Sequence, residues 1–411
     1  MVALVVRATY ALLWSRYAIV GFDASSYYEL GKSIAVHGSY ELRTPKAEAT
    51  ALFPPGFPFF LAVGRLIGFG TRTKMLLWAA GLGTVTVVMI GVLARRIVSP
   101  KVGLVAAAIA ALYPNLWLAD GALMTETLTG ALVVAALYLV TELRSAPRPS
   151  IGVALGMVLL WLSLTRSDGL IIALLCCASV IAAARRGSTA VAKTGFVAGV
   201  CAIVIPLVGI GLWQLRVQNE MDAFVPIAVN SWTVVAGANC EATYYGDRIG
   251  TWELPCVKTV EAFAEHQLQG EIAQNRYARD QGAEYARDHL QRLPLVAVAR
   301  LGRAFGVYDP WRELKIESLF ESRSVSWSRA GYIMYLAMMP CAVFGWFSAR
   351  RRKVRDVGLL LIPVVAVIIS VIVGYGNHRF RMPLEPCLVV LSAMGLHELV
   401  HRRVNLIGTP K

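Results

Sequence analysis

Charge is what this 411-residue sequence has least of. Asp, Glu, Lys and Arg make up 16% of it, against 56% hydrophobic residues. Soluble domains carry nearer a quarter charged residues, so a water-soluble globule is excluded, and a mean hydropathy of +0.57 agrees. Acid is scarcer than base, 26 residues against 40. The resulting surplus of +14 forms no Lys/Arg-rich tail, so no nucleic-acid partner is expected. The basic residues gather at the ends of apolar runs, where they fix orientation and meet anionic headgroups of the lipid bilayer. No small-residue cleavage pattern follows the first apolar run, which carries Arg7 and Arg16, so no cleavable signal peptide is expected. That run starts almost at Met1, and the natural N-terminus is expected upstream of it. Walker A, GxGxxG, HExxH and Gly-x-Ser-x-Gly patterns are also missing. No site for a soluble nucleotide is therefore expected; no cofactor is expected, and no acidic cluster demands a metal.

What is present is a series of apolar runs, each near the length that crosses a hydrocarbon core of roughly 30 Å. They lie at 1–19, 56–70, 75–94, 102–118, 125–142, 151–164, 169–184, 194–216, 328–349, 356–374 and 382–400. The expected fold is an all-α polytopic membrane protein of about 10–11 transmembrane helices. Short alternating strands, the mark of a β-barrel, are absent from this pattern. Basic clusters at Arg95-Arg96, Arg144 with Arg148, Arg185-Arg186, Arg350 to Lys353 and Arg402-Arg403 all fall in the cytosol if the spans alternate from residue 75 onward. Segment 56–70 is short, opens on prolines and carries Arg65. It reads as a surface-lying or re-entrant helix, with a full crossing as the rival.

This parity places the polar clusters on one face, the extracytoplasmic one. It divides the chain into an N-terminal transmembrane bundle, 1–216, with a first outer loop at 20–58; a small extracytoplasmic module, 217–327; and C-terminal transmembrane helices, 328–411. The middle region holds 15 of the 26 acidic residues and 11 of the 40 basic ones, as a long translocated region can. Within it, 258–292 reads as polar helix. Segment 293–307 reads as an amphipathic interfacial helix with Arg300 and Arg303 on one face. Cys240 and Cys256 lie in the same module. A disulfide between them would be worth about 3 kcal/mol in an oxidising compartment.

The outer clusters contain the candidate chemistry. Asp23 has two readings: a general base for an acceptor hydroxyl, or an N-cap for a helix starting near Ser25, with Ser26 and Glu29 as a capping box. Tyr27 and Tyr28 could stack on sugar rings or belong to an interfacial aromatic belt. In Asn377-His378-Arg379-Phe380-Arg381, two arginines at i and i+2 could grip a phosphate, or could snorkel to headgroups. Arg166 either pairs with Asp168 or faces the same phosphate. Glu126 either favours a helix N-terminus or faces the site. Arg72 and Lys74 are weaker phosphate candidates.

Five of these elements, in order, resemble the GT-C membrane glycosyltransferases. They are Asp23 in the first outer loop, Ala-Leu-Phe-Pro-Pro-Gly-Phe-Pro at 51–58, Tyr113-Pro114 followed by Thr125-Glu126, Leu164-Thr165-Arg166, and Arg-Phe-Arg-Met-Pro-Leu-Glu-Pro at 379–386. The family-39 branch, with the protein O-mannosyltransferases and the aminoarabinose transferases of lipid A, is the most similar. The resemblance implies a GT-C-like bundle in the cell membrane. It also implies an inverting hexosyl- or pentosyltransferase using a polyprenyl-phosphate-sugar donor, with a glycan, lipid or protein acceptor. Asp23 would be catalytic. Arg379, Arg381, His378 and Arg166 would bind the donor phosphate, and Tyr27, Tyr28, Glu126, Asp168 and Asn377 the substrates. Many members pair the first-loop Asp with Glu, whereas this chain has Asp23-Ala24, which disfavours protein O-mannosyl transfer. The alternatives are a transporter or flippase, which would need mid-span charge and repeated halves, and a non-catalytic lipid-binding or lipid-transport protein on the same scaffold.

Overall fold

A computed structural model describes residues 1–18, 21–43, 47–185, 189–257, 264–321 and 323–407. The chain is an all-α polytopic membrane protein. Helices α1 (Val2–Leu13), α2 (Phe22–His37), α3 (Gly56–Leu66), α4 (Arg72–Ile97), α5 (Pro100–Leu112), α6 (Pro114–Asp120), α7 (Thr125–Ser145), α8 (Pro149–Thr165), α9 (Gly169–Ala184) and α10 (Thr189–Met221) form the first part. The middle region contains α11 (Asn230–Ala238), α12 (Glu241–Tyr244), α13 (Gly270–Asp288), α14 (Leu293–Ala304) and α15 (Pro310–Phe320). The last part is α16 (Val325–Arg351), α17 (Ile362–Val373) and α18 (Glu385–Ile407). A two-stranded antiparallel hairpin, β1 (Glu41–Arg43) and β2 (Ala47–Ala49), sets Glu41 opposite Ala49.

Local sequence accounts for the breaks. Thr71 caps α4 by accepting from Lys74 N, and Ser99 caps α5 ahead of Pro100. Pro114 and Pro149 stand at first-turn positions of α6 and α8, where a missing N–H costs nothing. The break at Pro114 bends α6 by 56° from α5. Among the described residues four helices are long and apolar enough to cross a membrane, and six spans result if each bent pair is one. Four shorter apolar helices accompany them. One of these, α3, has 11 residues, rising only ~16 Å against a core of roughly 30 Å. That is too short to cross, which fits a helix lying at or entering one surface.

The bundle is closed by small residues. Gly345 of α16 and Gly395 of α18 face each other, and a Cβ on Gly395 would land on the Cys341 carbonyl oxygen. Close backbone approach of this kind is how membrane helices associate without a hydrophobic driving force. Arg7, within the apolar first segment, finds a buried partner across the bundle. Arg7 Nε pairs with Asp120 Oδ2 at 2.7 Å, both buried, and Thr127 donates to the other Asp120 oxygen at 2.9 Å.

The middle region is tied to the bundle at many points. A disulfide joins Cys240 and Cys256. Of the polar helix expected over 258–292, α13 covers Gly270–Asp288, and 258–263 lies outside the described residues. The segment 293–307 forms α14, but its arginines face protein. Arg300 donates to the carbonyls of Ile372 and Ala238 at 2.7 Å each. Arg303 donates to the Ile249 carbonyl at 2.7 Å and pairs with Glu313 at 2.8 Å. They pin the module to α17 and to its own loops. Glu271 of α13 accepts from Thr50 Oγ1 at 2.6 Å and Ala51 N at 3.0 Å. Arg216 of α10 donates to the Thr50 and Tyr40 carbonyls at 2.6 and 2.7 Å. The first outer loop is thus held from both sides.

Candidate active site

Helix α2 begins at Phe22, with Gly21 as its N-cap. Asp23 is therefore inside the first turn and not a cap, which corrects one of its two sequence readings. The helix starts earlier than expected because Gly21 packs directly under the Phe320 carbonyl, a position with no room for a Cβ. Ser25 and Ser26 turn back to the Phe22 carbonyl at 2.8 and 2.9 Å and form no capping box. The Asp23 carboxylate is left free to point at Arg379, with Oδ2 3.7 Å from Nη1 and its side chain 37% exposed.

Arg379 sits in a short 3-10 turn, His378–Arg381, which Asn377 caps by accepting from Arg379 N at 2.9 Å. Three carboxylates surround its guanidinium. Besides Asp23, Glu126 Oε1 lies 3.4 Å from Nε, and Glu321 Oε1 lies 3.4 Å from Nη1. Glu126, in the first turn of α7, also contacts Arg166 Nη1 at 3.5 Å. Arg166 makes a two-pronged pair with Asp168, Nε–Oδ1 3.0 Å and Nη2–Oδ2 2.9 Å, and lies over the Phe380 ring at 5.3 Å. Arg166 thus pairs with Asp168, one of its two sequence readings, and is linked to Arg379 through Glu126. The loops after α1, α8 and α17 and the start of α7 thus converge on one end of the bundle.

Arg381 and His378 do not join Asp23. In a 3-10 turn successive residues rotate by about a third of a turn, so side chains at i and i+2 diverge. Arg381 Nε pairs with Glu385 at 3.3 Å, and its guanidinium lies 3.9 Å from the Tyr335 ring centre. Glu385 in turn accepts from Tyr113 at 2.6 Å. Arg379 and Arg381 thus pair with different carboxylates, and both line one small cavity. His378 stacks on Tyr332 with Nδ1 3.7 Å from Glu317 Oε1. Burial, then Arg381 and Arg323, hold its pKa well below the usual imidazole range. A phosphate-binding role for His378 would then rest on an N–H hydrogen bond rather than on charge. The cavity lined by Arg379, Arg381, His378 and Glu317 has a volume of about 20 Å³, room for one water.

Tyr27 follows Asp23 by one helical turn and is buried against Phe53 and Phe57, with ring centroids 4.7 and 5.3 Å away. It packs the core beneath Asp23 and presents no open stacking face. Tyr28 donates to the Gly70 carbonyl at 3.0 Å, away from Arg379. Arg72 is occupied by the carbonyls of Ser15, Arg16 and Ala18.

Sequence reasoning missed Glu317, Glu321 and Arg323. Their signal is the run Glu313, Glu317, Glu321, spaced by four. All three are buried, running from α15 to its C-cap at four-residue spacing. Glu317 is pushed up to about 8, first by burial and then by Glu321. Asp23 is raised above the usual aspartate range, chiefly by burial. Arg379 opposes the rise and Glu126 adds to it. A carboxylate so placed is a stronger base than a free aspartate. Among the described residues no group of three His, Cys, Asp or Glu side chains is placed to hold a metal ion.

No family model and no curated protein sequence matches the chain. Solved structures do. An oligosaccharyltransferase from Archaeoglobus fulgidus, in complex with Zn and sulfate, has a TM-score of 0.55 at 14% identity, over 98% of this chain and 50% of that one. Its apo form gives 0.53 at 14% identity, over 100% and 52%. ArnT from Cupriavidus metallidurans, bound to undecaprenyl phosphate, gives 0.46 at 13% identity, over 99% and 80%. The chain spans about half the length of the oligosaccharyltransferase. The likeness to that protein runs the full length of this chain, through the helices that bring Asp23 to Arg379. What the chain shares with that oligosaccharyltransferase is its helical membrane fold.

Proposed function

We propose that the chain is an inverting glycosyltransferase on the extracytoplasmic face of the cell membrane. It would move a sugar from a polyprenyl-phosphate-linked donor to an envelope glycan, lipid or protein. One observation carries this reading: a half-buried carboxylate with a raised pKa, Asp23, facing a buried arginine, Arg379, at 3.7 Å. The donor phosphate replaces Asp23 as the partner of Arg379. The freed carboxylate accepts the proton of an acceptor hydroxyl as its oxygen bonds to the anomeric carbon. The carbon–oxygen bond to the phosphate breaks, its electrons stay on the phosphate, and Arg379 stabilises that charge. Arg166 and Glu126 hold Arg379 in place. The structural likeness to an oligosaccharyltransferase supports the reaction class.

The test is Asp23→Asn, assayed for sugar transfer in membranes of a deletion strain by mass measurement of envelope glycans. Loss of product at normal expression is expected. Unchanged product would remove Asp23 from the chemistry and leave the non-catalytic lipid-binding reading.

A further inference from the structure

Tyr27 and Tyr28, the rings expected from sequence to stack on sugars, are turned into the core or toward Gly70. Three other rings stand beside the Asp23–Arg379 pair. Phe380 has the Arg166 guanidinium 5.3 Å and the Arg379 guanidinium 6.0 Å from its centre. Tyr375 meets Phe380 edge to face at 4.8 Å, and Trp252 lies 6.4 Å from Tyr375, so Tyr375 is the middle ring of the three. Each ring is partly exposed. The Tyr375 hydroxyl has no hydrogen-bond partner among the described residues. Burial, opposed by Arg379 and helped by Asp23, keeps its pKa above the usual phenol range. A neutral phenol can both donate and accept.

Trp252 is far from Tyr375 in sequence, and packing of the middle region brings it in. It lies in the loop closed by the Cys240–Cys256 disulfide. Its indole N–H donates to the Thr233 carbonyl at 2.9 Å, and its ring packs on Ala236, Val257 and Ala278. A side chain at Gly237 would collide with that ring. Gly376 N donates to the Gly250 carbonyl at 2.8 Å, which fastens the loop to the segment carrying Tyr375 and Arg379. Arg300 secures both sides of this seam through the Ala238 and Ile372 carbonyls.

We infer that Trp252, Tyr375 and Phe380 form a stacking wall for a glycan acceptor, whose successive sugar rings lie along it and whose reacting hydroxyl reaches Asp23. The C–H face of a sugar ring is apolar and fits an aromatic face, while its hydroxyls need a few placed polar groups such as the Tyr375 hydroxyl. Three rings are more than one sugar unit covers, which favours an oligosaccharide over the single sugar of a donor. Arg166 and Arg379 are already balanced by Asp168, Glu126 and Asp23, so the wall suits uncharged sugars. An extended peptide would need free backbone groups, and Gly250 and Gly376 have bonded theirs to each other. This inference rests on the chain being a glycosyltransferase. It chooses among the glycan, lipid and protein acceptors of that reading.

The probe is the polysaccharide fraction of the deletion strain's envelope, cut to short oligosaccharides. It is added to membranes of that strain carrying each variant, which supply the donor, and the polysaccharide, lipid and protein fractions are then weighed by mass spectrometry. Sugar should be gained by the polysaccharide. Trp252→Leu keeps apolar bulk but no aromatic face, and should raise KM for the probe about tenfold with kcat little changed. Tyr375→Ala should do the same, and Trp252→Phe should stay within about twofold of wild type. Size-exclusion profiles check that each variant is folded. An unchanged KM in Trp252→Leu, or a loss confined to kcat, overturns the inference, as does transfer only to lipid or protein. Binding of the fluorophore-labelled probe to the detergent-solubilised full chain, read by polarisation, separates the two readings. If Trp252→Leu weakens that binding but the wild-type chain transfers no sugar, the enzymatic reading fails and the wall stands. If transfer depends on Asp23 but goes to lipid or protein, the wall fails and the enzyme stands.

Discussion

Glu126 lies between two arginines, with one oxygen 3.4 Å from Arg379 Nε and 3.5 Å from Arg166 Nη1. Its side chain is fully buried. Removing one member of such a network leaves uncompensated charge, which costs about 3–5 kcal/mol. Glu126→Ala should lower the melting temperature in detergent more than Glu126→Gln, which keeps the shape and one acceptor. Differential scanning fluorimetry of the two variants checks the order.

The raised pKa of Asp23 sets an acid limb for transfer. The base must be ionised, so activity should fall as pH drops through a value above the 3.8 of a free aspartate. The stability sign is opposite. A carboxyl whose folded pKa is raised contributes stability below its unfolded pKa and loses it as pH rises through the folded one. Asp23→Asn should therefore fold at least as well as wild type at neutral pH while losing activity. A pH–rate profile beside a melt at each pH separates the two effects.

Glu317 gives a second pH signature, in stability alone. Its folded pKa of about 8 lies above the ordinary 4.5, so its contribution is full below about 4.5 and is lost as pH rises through about 8. Glu317→Gln should be more stable than wild type above pH 8 and nearly equal to it in acid. Melting curves across that window test the sign, and a variant that loses stability in alkali like wild type would contradict it.

Orientation can be read with single cysteines. Ser25 in the first turn of α2 and Arg351 at the end of α16 are both exposed. Ser25→Cys should react with an impermeant maleimide on intact cells, and Arg351→Cys only after permeabilisation. The reverse pattern would invert the whole scheme.

Gly345 and Gly395 hold α16 and α18 in close backbone contact. Gly395→Val should separate the helices at the Cys341 carbonyl and lower both stability and transfer. Gly358→Ala, where a Cβ meets open space, should do neither. Thermal melts and product yield compare the pair.

Much of this arrangement was legible before the coordinates. Basic clusters at the ends of apolar runs marked the helices. The parity of the spans grouped Asp23, Glu126, Arg166 and Arg379. What was not legible depended on backbone geometry and on distant partners. Arg379 and Arg381 share a face in a strand but diverge in a 3-10 turn, and nothing local distinguishes the two. The start of α2 depends on Phe320, some three hundred residues away in sequence. Glu317 and Glu321 sit in a polar region where acids ordinarily face water, and only packing under α16 and the 378–381 turn reveals them as buried. Arg7 finds Asp120 across the bundle for the same reason.

The seating of Gly21 under the Phe320 carbonyl ties the entry of α2 to the end of α15. The backbone just before Asp23 rests on α15, and the residues after α15 carry Glu321, which shares Arg379 with Asp23. Two segments about three hundred residues apart are therefore set to one another by backbone contact, and a side chain at residue 21 would have to push one of them aside.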